Sequence, residues 1–377
     1  MLRYFSVKNY KNFREKLVLD FTKVHDYQFN SRCVKNGLIS KAIIYGKNSE
    51  GKTNLFTAVG DITYTMRNYW SSLDMRNNRY MFKNANAGLD ELVEFHYSFL
   101  LDGKVVDYIY FKTDAVTVVA EKFLIDGKVI FEYDRQKDLY DFTNVGLVHA
   151  ETLNWDDFRD GTDIDNENNV WFEKPAALRL IVYNTIQEEK SVINQLAGFI
   201  GRMRFSTSSQ NSNYLIYSEQ LSEEEKLKKF QQFLNEHGVE CDLILLENPE
   251  GKKDIYYNYK KPLQFFSNMS SGTAALTNFY LNFMNKGKTS FIFIDEFDAN
   301  YHFELSEKIV TLLEEQFDCQ VVLTSHNTGL LSNSIMRPDC FMILSNGKLT
   351  PICEATTREL RQGHNLQKLY RNGEFDG

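Results

Sequence analysis

Residues Gly46-Lys47-Asn48-Ser49-Glu50-Gly51-Lys52-Thr53 satisfy the spacing GxxxxGK[ST], the feature that most narrows what this chain can fold into. The pattern needs a strand in front and a helix behind. Lys41-Ala42-Ile43-Ile44-Tyr45 reads as a short buried strand, and Leu55, Val59, Ile62, Met66 and Tyr69 then recur at helical spacing. In that setting the glycines let backbone N–H groups turn toward a polyphosphate, the positive helix end adds attraction, and the Lys52 ammonium reaches the outer phosphates. Gly46, Asn48, Ser49, Gly51, Lys52, Thr53 and Asn54 are the expected nucleotide contacts, with the Thr53 hydroxyl directed at Mg²⁺. Glu50 is out of place in a phosphate cradle, so its carboxylate is expected to face water.

Four further motifs follow in order. Phe291-Ile292-Phe293-Ile294 is an apolar run ending in Asp295-Glu296, as when a buried strand delivers carboxylates to the rim of a parallel sheet. Asp295 is expected to hold Mg²⁺ and Glu296 to polarise the attacking water, since neighbours on a strand point opposite ways. Some twenty residues earlier, Met269-Ser270-Ser271-Gly272-Thr273 opens a helix with apolar Leu276, Phe279, Tyr280, Phe283 and Met284, closed by Gly287. Ser270, Ser271 and Gly272 form a second helix start fit for phosphate, which makes most sense if it caps the γ phosphate held by another subunit. Ala299-Asn300-Tyr301-His302 comes next. Residues 319–323 read as a core strand, and Thr324-Ser325-His326 at its end sets an imidazole where it can bond a γ phosphate oxygen or the attacking water. Glu296, His326 and Lys52 are the candidate catalytic residues.

With these motifs in this order the chain resembles the ABC/SMC-type AAA-family ATPases. The nearest resemblance is to the OLD/RecF-like branch and, within it, the AbiLi/RloA-type abortive-infection ATPases of bacteria. The opening Leu2-Arg3-Tyr4-Phe5-Ser6-Val7-Lys8-Asn9-Tyr10-Lys11-Asn12-Phe13 and the closing Arg358-Glu359-Leu360-Arg361-Gln362-Gly363-His364-Asn365-Leu366 carry that likeness. It covers residues 1–131 and 265–377, roughly, and leaves the middle unexplained. The resemblance implies that residues 269–273 are the signature motif acting in trans, 299–302 the D-loop and His326 the switch histidine. The glutamine that such enzymes carry after the first helix is missing; residues 80–86 occupy its place, with Asn84 or Asn86 as stand-ins.

Between the two blocks the pattern changes. Residues 92–100, 105–111, 116–125 and 129–133 are strand-like, and Asp102-Gly103 and Asp126-Gly127 are hairpin signals. They predict an antiparallel sheet flanking the nucleotide core. Residues 151–173 are acidic; Asp160 to Glu167 resembles a calcium loop but lacks its alternate-residue spacing and closing glutamate, so it reads as a solvated loop. Helices are expected over 176–203 and 222–237, the second opened by Ser222 and Glu225 in capping-box register. The insertion is too short for coiled-coil arms and has no zinc-hook CxxC, so a compact helical lobe is expected.

The architecture read from these signals is an α/β P-loop NTPase of ABC-ATPase head type, with a flanking antiparallel β subdomain and a helical insertion. Its parts would be an N-terminal ATPase lobe over 1–135, the insertion over 136–262 and a C-terminal ATPase lobe over 263–377. The 377 residues, 43% hydrophobic, can bury one large core with an appended lobe. Lacking a bilayer-length apolar run or a secretory leader, the chain reads as cytoplasmic, with no membrane partner. Cys33, Cys241, Cys319, Cys340 and Cys353 lack CxxC spacing and read as reduced thiols. A net charge of −8 argues against whole-surface binding of nucleic acid but leaves room for a local basic strip.

The expected activity is hydrolysis of ATP with Mg²⁺ at a composite site in a homodimer or larger assembly. By resemblance the role is antiviral: sensing infection and controlling a separately encoded effector, a nuclease by class. The alternatives are a RecF-like DNA-repair or DNA-clamping ATPase and a regulatory module that holds ATP without turning it over. Arg358, Arg361, Asn365 and Lys368 recur every three or four residues, which predicts a helix with one basic face for docking the effector or its nucleic acid.

Overall fold

The computed structural model describes residues 1–66, 82–160, 176–207, 218–248, 251–284 and 288–375. Its centre is a six-stranded sheet in the order Met203–Thr207, Phe291–Asp295, Gln320–Ser325, Lys41–Tyr45, Phe341–Ser345, Lys348–Pro351. The first five run parallel, and the last turns back through Asn346-Gly347. Lys41–Tyr45, Phe291–Asp295 and Gln320–Ser325 are buried along their whole length, because both faces of a parallel sheet are covered. Register sets Ser325 beside Tyr45 and Leu323 beside Ile294, so the turns that follow these strands open along one rim.

Helix Lys52–Thr65 is buried almost all round, since it is packed between two sheets. Phe56 meets Phe205 and Phe293 of the central sheet edge to face, with centroids 5.6 and 5.4 Å away. On its other side the Tyr97 hydroxyl donates 2.8 Å to the Ala58 carbonyl. Tyr97 belongs to the expected antiparallel sheet, ordered Leu139–Asp141, Lys128–Asp134, Val118–Ile125, Lys104–Lys112, Val93–Leu101, Leu2–Lys8, Leu17–Asp20. Asp102-Gly103 and Asp126-Gly127 make its hairpins with φ of 47/80° and 50/77°, the left-handed pair of a type I′ turn. One ion pair crosses the dry layer: Lys112 Nζ lies 2.7 Å from Asp61 Oδ2 of the helix, with both side chains nearly sealed from water. No helix among the described residues is long and apolar enough to cross a membrane.

The insertion carries the expected helices, together with strands that the sequence does not announce. In place of one helix over 176–203 there are two, Ala177–Asn184 and Val192–Gly201, the second freshly capped by Ser191 Oγ accepting the Asn194 N–H at 3.1 Å. Residues 203–207 then leave the helix altogether to join the central sheet beside Phe291–Asp295. The Ala177 and Leu178 N–H groups donate to the buried carboxylate of Glu121, which docks that helix onto the side sheet. Burial pushes the Glu121 carboxyl above the ordinary range. Helix Glu224–Glu236 starts one step later than the capping box requires: Glu223 is its N-cap, and Ser222 Oγ instead donates 2.8 Å to the Glu219 carbonyl. A three-stranded antiparallel sheet, Leu243–Glu247, Lys253–Tyr257 and Leu263–Gln264, leads into the helix that begins at Ser271. The calcium-like loop lies outside the described residues beyond Asp160, as does Gly287.

The C-terminal segment does not form the expected basic helix. Only Leu366–Arg371 is helical, because Asn365 starts it anew by accepting the Lys368 N–H at 2.8 Å. Arg361 is paired with Glu359 at 2.8 Å and Arg358 with Glu374 at 3.5 Å, so no continuous cationic face is presented.

Candidate nucleotide site

The phosphate loop stands at the rim between Tyr45 and helix Lys52–Thr65. Asn48 and Ser49 are exposed, with Ser49 at φ 69°, and Gly46 is buried so closely that a Cβ there would sit 2.8 Å from the Leu344 carbonyl. Lys52 Nζ curls back over the loop, donating to the Gly46 carbonyl at 2.7 Å and the Lys47 carbonyl at 3.3 Å. Burial pulls its ammonium below the ordinary lysine value, while Asp295, Glu296 and Glu50 pull the other way. Glu50 is half-exposed at the surface of the loop, where its Oε2 also accepts the Asn346 N–H at 2.8 Å, pinning the loop to the hairpin after Phe341–Ser345.

Asn12 is a residue that motif reasoning passed over. Its Nδ2 donates 2.9 Å to the Glu50 carbonyl and its Oδ1 accepts from Asn54 Nδ2 at 2.6 Å, so one side chain grips both ends of the turn around Gly51. The Asn54 side chain, expected at the nucleotide, takes part in that grip through its amide. Asn84 holds Asn12's own loop, donating 2.5 Å to the Lys11 carbonyl; it is an internal brace, and the exposed Asn86 donates its N–H back to Asn84 Oδ1. Tyr80 and Met81 lie outside the described residues.

Gly51 has φ 105°, and a Cβ on it would fall 2.4 Å from Asn12 Nδ2. Gly51→Ala is therefore expected to weaken nucleotide binding about tenfold, from backbone strain of ~1–2 kcal/mol and a broken grip. Titration with a fluorescent ATP analogue reads it, and Asn12→Ala placed in that background should recover the steric part. Undiminished binding by Gly51→Ala would mean that the loop is not held this way.

The acidic strand meets the loop through hydroxyls. Thr53 Oγ1 donates 2.6 Å to Asp295 Oδ2, and Thr324 Oγ1 donates 2.6 Å to Asp295 Oδ1. The same Thr324 oxygen accepts the Glu296 N–H at 2.7 Å. Glu296 lies just past the strand at φ 49°, so it diverges from Asp295 through a left-handed turn and not through the strand pleat. Thr324 was read only as part of the histidine motif. Its function as the pin between Asp295 and Glu296 follows from the pairing of the two strands, a non-local fact.

His326 is exposed at the rim. Beside it Asp298 accepts from the Ser325 hydroxyl at 2.5 Å; burial pushes its carboxyl above the usual range, against Ser325 and His326. Helix Ser271–Phe279 begins as the sequence predicts, with Ser270 Oγ accepting the Thr273 N–H at 3.1 Å, and it continues as a wider π turn over Tyr280–Met284. A Cβ on Gly272 would lie 3.4 Å from the Asn300 carbonyl, so residues 269–273 and 299–302 abut within one chain.

A parallel sheet whose rim joins a glycine-rich loop, a buried lysine, and a threonine bonded to a strand-end aspartate defines a P-loop nucleotide-binding protein with the ABC/SMC-type arrangement of motifs. More narrowly, the chain belongs to the family described as AAA domain, putative AbiEii toxin, Type IV TA system, whose model matches residues 41–332. No curated protein matches it. Among solved structures it is similar to the SMC head domain from Thermotoga maritima, with 14% identity and TM-score 0.41 over 93% of this chain and 97% of that one. The Smc head domain of Pyrococcus furiosus, with an extended coiled coil and bound to the C-terminal domain of ScpA, gives 13% identity and TM-score 0.44 over 93% and 95%. An SmcHead bound to the C-winged helix domain of ScpA gives 15% and 0.45 over 93% and 96%.

Proposed function

We propose that this chain is the ATP-hydrolysing regulator of a bacterial abortive-infection system of AbiLi/RloA type, working in the cytoplasm as a homodimer or larger assembly that controls a separately encoded nuclease effector. The observation that carries the hydrolytic half is the line of short hydrogen bonds from Thr53 through Asp295 and Thr324 to Glu296. It holds a binding hydroxyl, a metal-type carboxylate and a candidate base in one fixed order. The family's printed description, a toxin of a Type IV toxin–antitoxin system, supports the defensive half.

Thr53 Oγ1 and Asp295 Oδ2 are hard oxygen donors 2.6 Å apart, a donor set that fits Mg²⁺. That ion, when bound, neutralises charge on the β and γ phosphate oxygens. Lys52 exchanges the Gly46 and Lys47 carbonyls for phosphate oxygens, and the loop N–H groups, held by Asn12, receive the rest. Glu296 accepts a proton from the attacking water, and His326, just past the strand between the acidic strand and the loop's strand, bonds the γ phosphate. Ser270, Ser271 and Gly272 present first-turn N–H groups, which lack intrahelical acceptors, to the nucleotide held by the partner copy.

Two inactive variants test the trans arrangement. Lys52→Ala removes a phosphate counter-charge and should weaken ATP binding. Ser270→Arg should leave binding to one subunit intact while blocking closure by bulk. Mixing the two should restore turnover, because one site of each mixed dimer pairs an intact loop with an intact signature. Ser270→Arg protein that hydrolyses ATP at the parental rate would sink the composite site. For the defensive half, the native locus is expressed and challenged with phage; protection that survives Lys52→Ala would separate the role from the nucleotide.

A further inference from the structure

The run Lys252-Lys253-Asp254-Ile255-Tyr256-Tyr257-Asn258-Tyr259-Lys260-Lys261 sets four lysines against one aspartate in a chain whose net charge is −8. All four lysines are exposed, and among the described residues none is paired with a carboxylate. Lysines on the adjacent helix are treated otherwise: Lys226 and Lys229 are matched to Glu223 and Glu225 at 2.8 and 2.7 Å. The lone aspartate is turned away from its lysine neighbours, accepting from the Ser218 hydroxyl and, at 3.1 Å, from Gln264 Nε2. Across the ladder Glu247 stands opposite Lys253, and Asp242 accepts from Asn258 Nδ2 at 2.6 Å, so the positive charge free to meet a ligand is that of Lys260 and Lys261 beside Tyr259.

Aromatic rings lie between the lysine pairs. Tyr259 is 61% exposed, and its ring stacks on Tyr257 with centroids 5.7 Å apart and planes 15° apart. Tyr257 rests in turn on the buried Phe265, 5.1 Å away. The exposed ring is thus backed by a rigid column rooted in the core. Lys260 and Lys261 follow Tyr259 directly, in the exposed turn between Lys253–Tyr257 and Leu263–Gln264.

We propose that this sheet binds single-stranded nucleic acid, with Tyr259 stacking on a base and Lys260 and Lys261 neutralising the adjoining phosphates. A base in a duplex already has both faces covered, so a flat exposed ring favours an unpaired strand. An acidic protein segment would use the lysines but gain nothing from the ring. The site is separate from the phosphate loop, and it stands or falls independently of ATP turnover.

Full-length protein is titrated by fluorescence anisotropy with oligothymidylate and oligouridylate of about twenty nucleotides, longer than ordinary single-strand site sizes. Binding is expected, with log K falling against log salt at a slope of about −1.4 for two phosphate contacts. Lys260→Glu with Lys261→Glu should lower affinity at least tenfold and flatten the slope. Lys260→Gln with Lys261→Gln, which only removes charge, repeats the test should the reversal disturb the fold. Tyr259→Ala should cost ~5- to 150-fold, the range of one base stack, and Tyr259→Phe should cost little. ATP turnover and melting should stay parental in these variants. Lys52→Ala should still bind the oligonucleotide, which separates this site from the nucleotide loop. No binding by the parent, binding indifferent to the lysine pair, or binding indifferent to Tyr259 each overturns the proposal. Equal capture of a duplex or of polyglutamate without need of Tyr259 overturns it as well, and would assign the patch to that partner.

Discussion

A Glu296→Gln protein is expected to bind ATP as the parent does and to turn it over at about one hundredth of the rate or less. The substitution keeps the size of the side chain and removes only its capacity to take a proton. It leaves the Glu296 N–H free to keep its bond to Thr324, and the Thr53–Asp295 contact is untouched. Affinity rests on Lys52 and the loop, so the loss of ~2.7 kcal/mol should fall on the transition state alone. Such a protein should also accumulate as an ATP-bound dimer, visible as a shift in mass on sizing with Mg·ATP. Near-parental hydrolysis would remove Glu296 from the mechanism.

Lys112→Met is expected to be the most damaging change away from the rim, lowering stability by ~3–5 kcal/mol. Lys112 Nζ bonds Asp61 Oδ2 and the Ala115 carbonyl, and it lies 5.6 to 5.9 Å from the ring centroids of Phe82, Phe95 and Tyr110. Without the ammonium, Asp61 is left as a buried charge with only the Tyr110 and Thr65 hydroxyls to satisfy it. Asp61→Leu combined with Lys112→Met should recover part of the loss, since the pair and not either charge is what the layer tolerates. Urea unfolding followed by tryptophan fluorescence measures both. A single variant as stable as the parent would mean that the pair contributes no net stability across the two sheets.

What could be read from the sequence was local. The phosphate loop, the Asp295-Glu296 strand end, the capped helix at Ser270 and the Asp-Gly hairpins each lie within about ten residues whose pattern demands one geometry. What escaped depends on contacts between distant segments. Met203–Thr207 is a strand because the edge of Phe291–Asp295 needs a partner, and nothing within 176–203 says so. Asn12 reaches Glu50 and Asn54 across two sheets, and Glu50 finds the Asn346 N–H from the far end of the chain. At the tail, periodicity alone favoured a long helix, whereas Asn365 capping, the local Arg361–Glu359 pair and the longer-range Arg358–Glu374 pair accompany a different path.

The central position of Lys41–Tyr45 has a cost in time. Its two neighbours in the sheet are Gln320–Ser325 and Phe341–Ser345, and Gln320 also clasps the Leu2 backbone from both sides. From Tyr45 to Gln320 the ribosome must add 320 − 45 = 275 residues, roughly 15–55 s of synthesis at ordinary rates. Throughout that interval an apolar strand meant for burial on both faces has no sheet to enter, and nucleotide cannot help because its cradle is not yet shaped. Nascent chains are therefore expected to expose an aggregation-prone strand until Gln320–Ser325 is made. A premature stop before Gln320 should yield aggregate, with no partly folded nucleotide-binding head released.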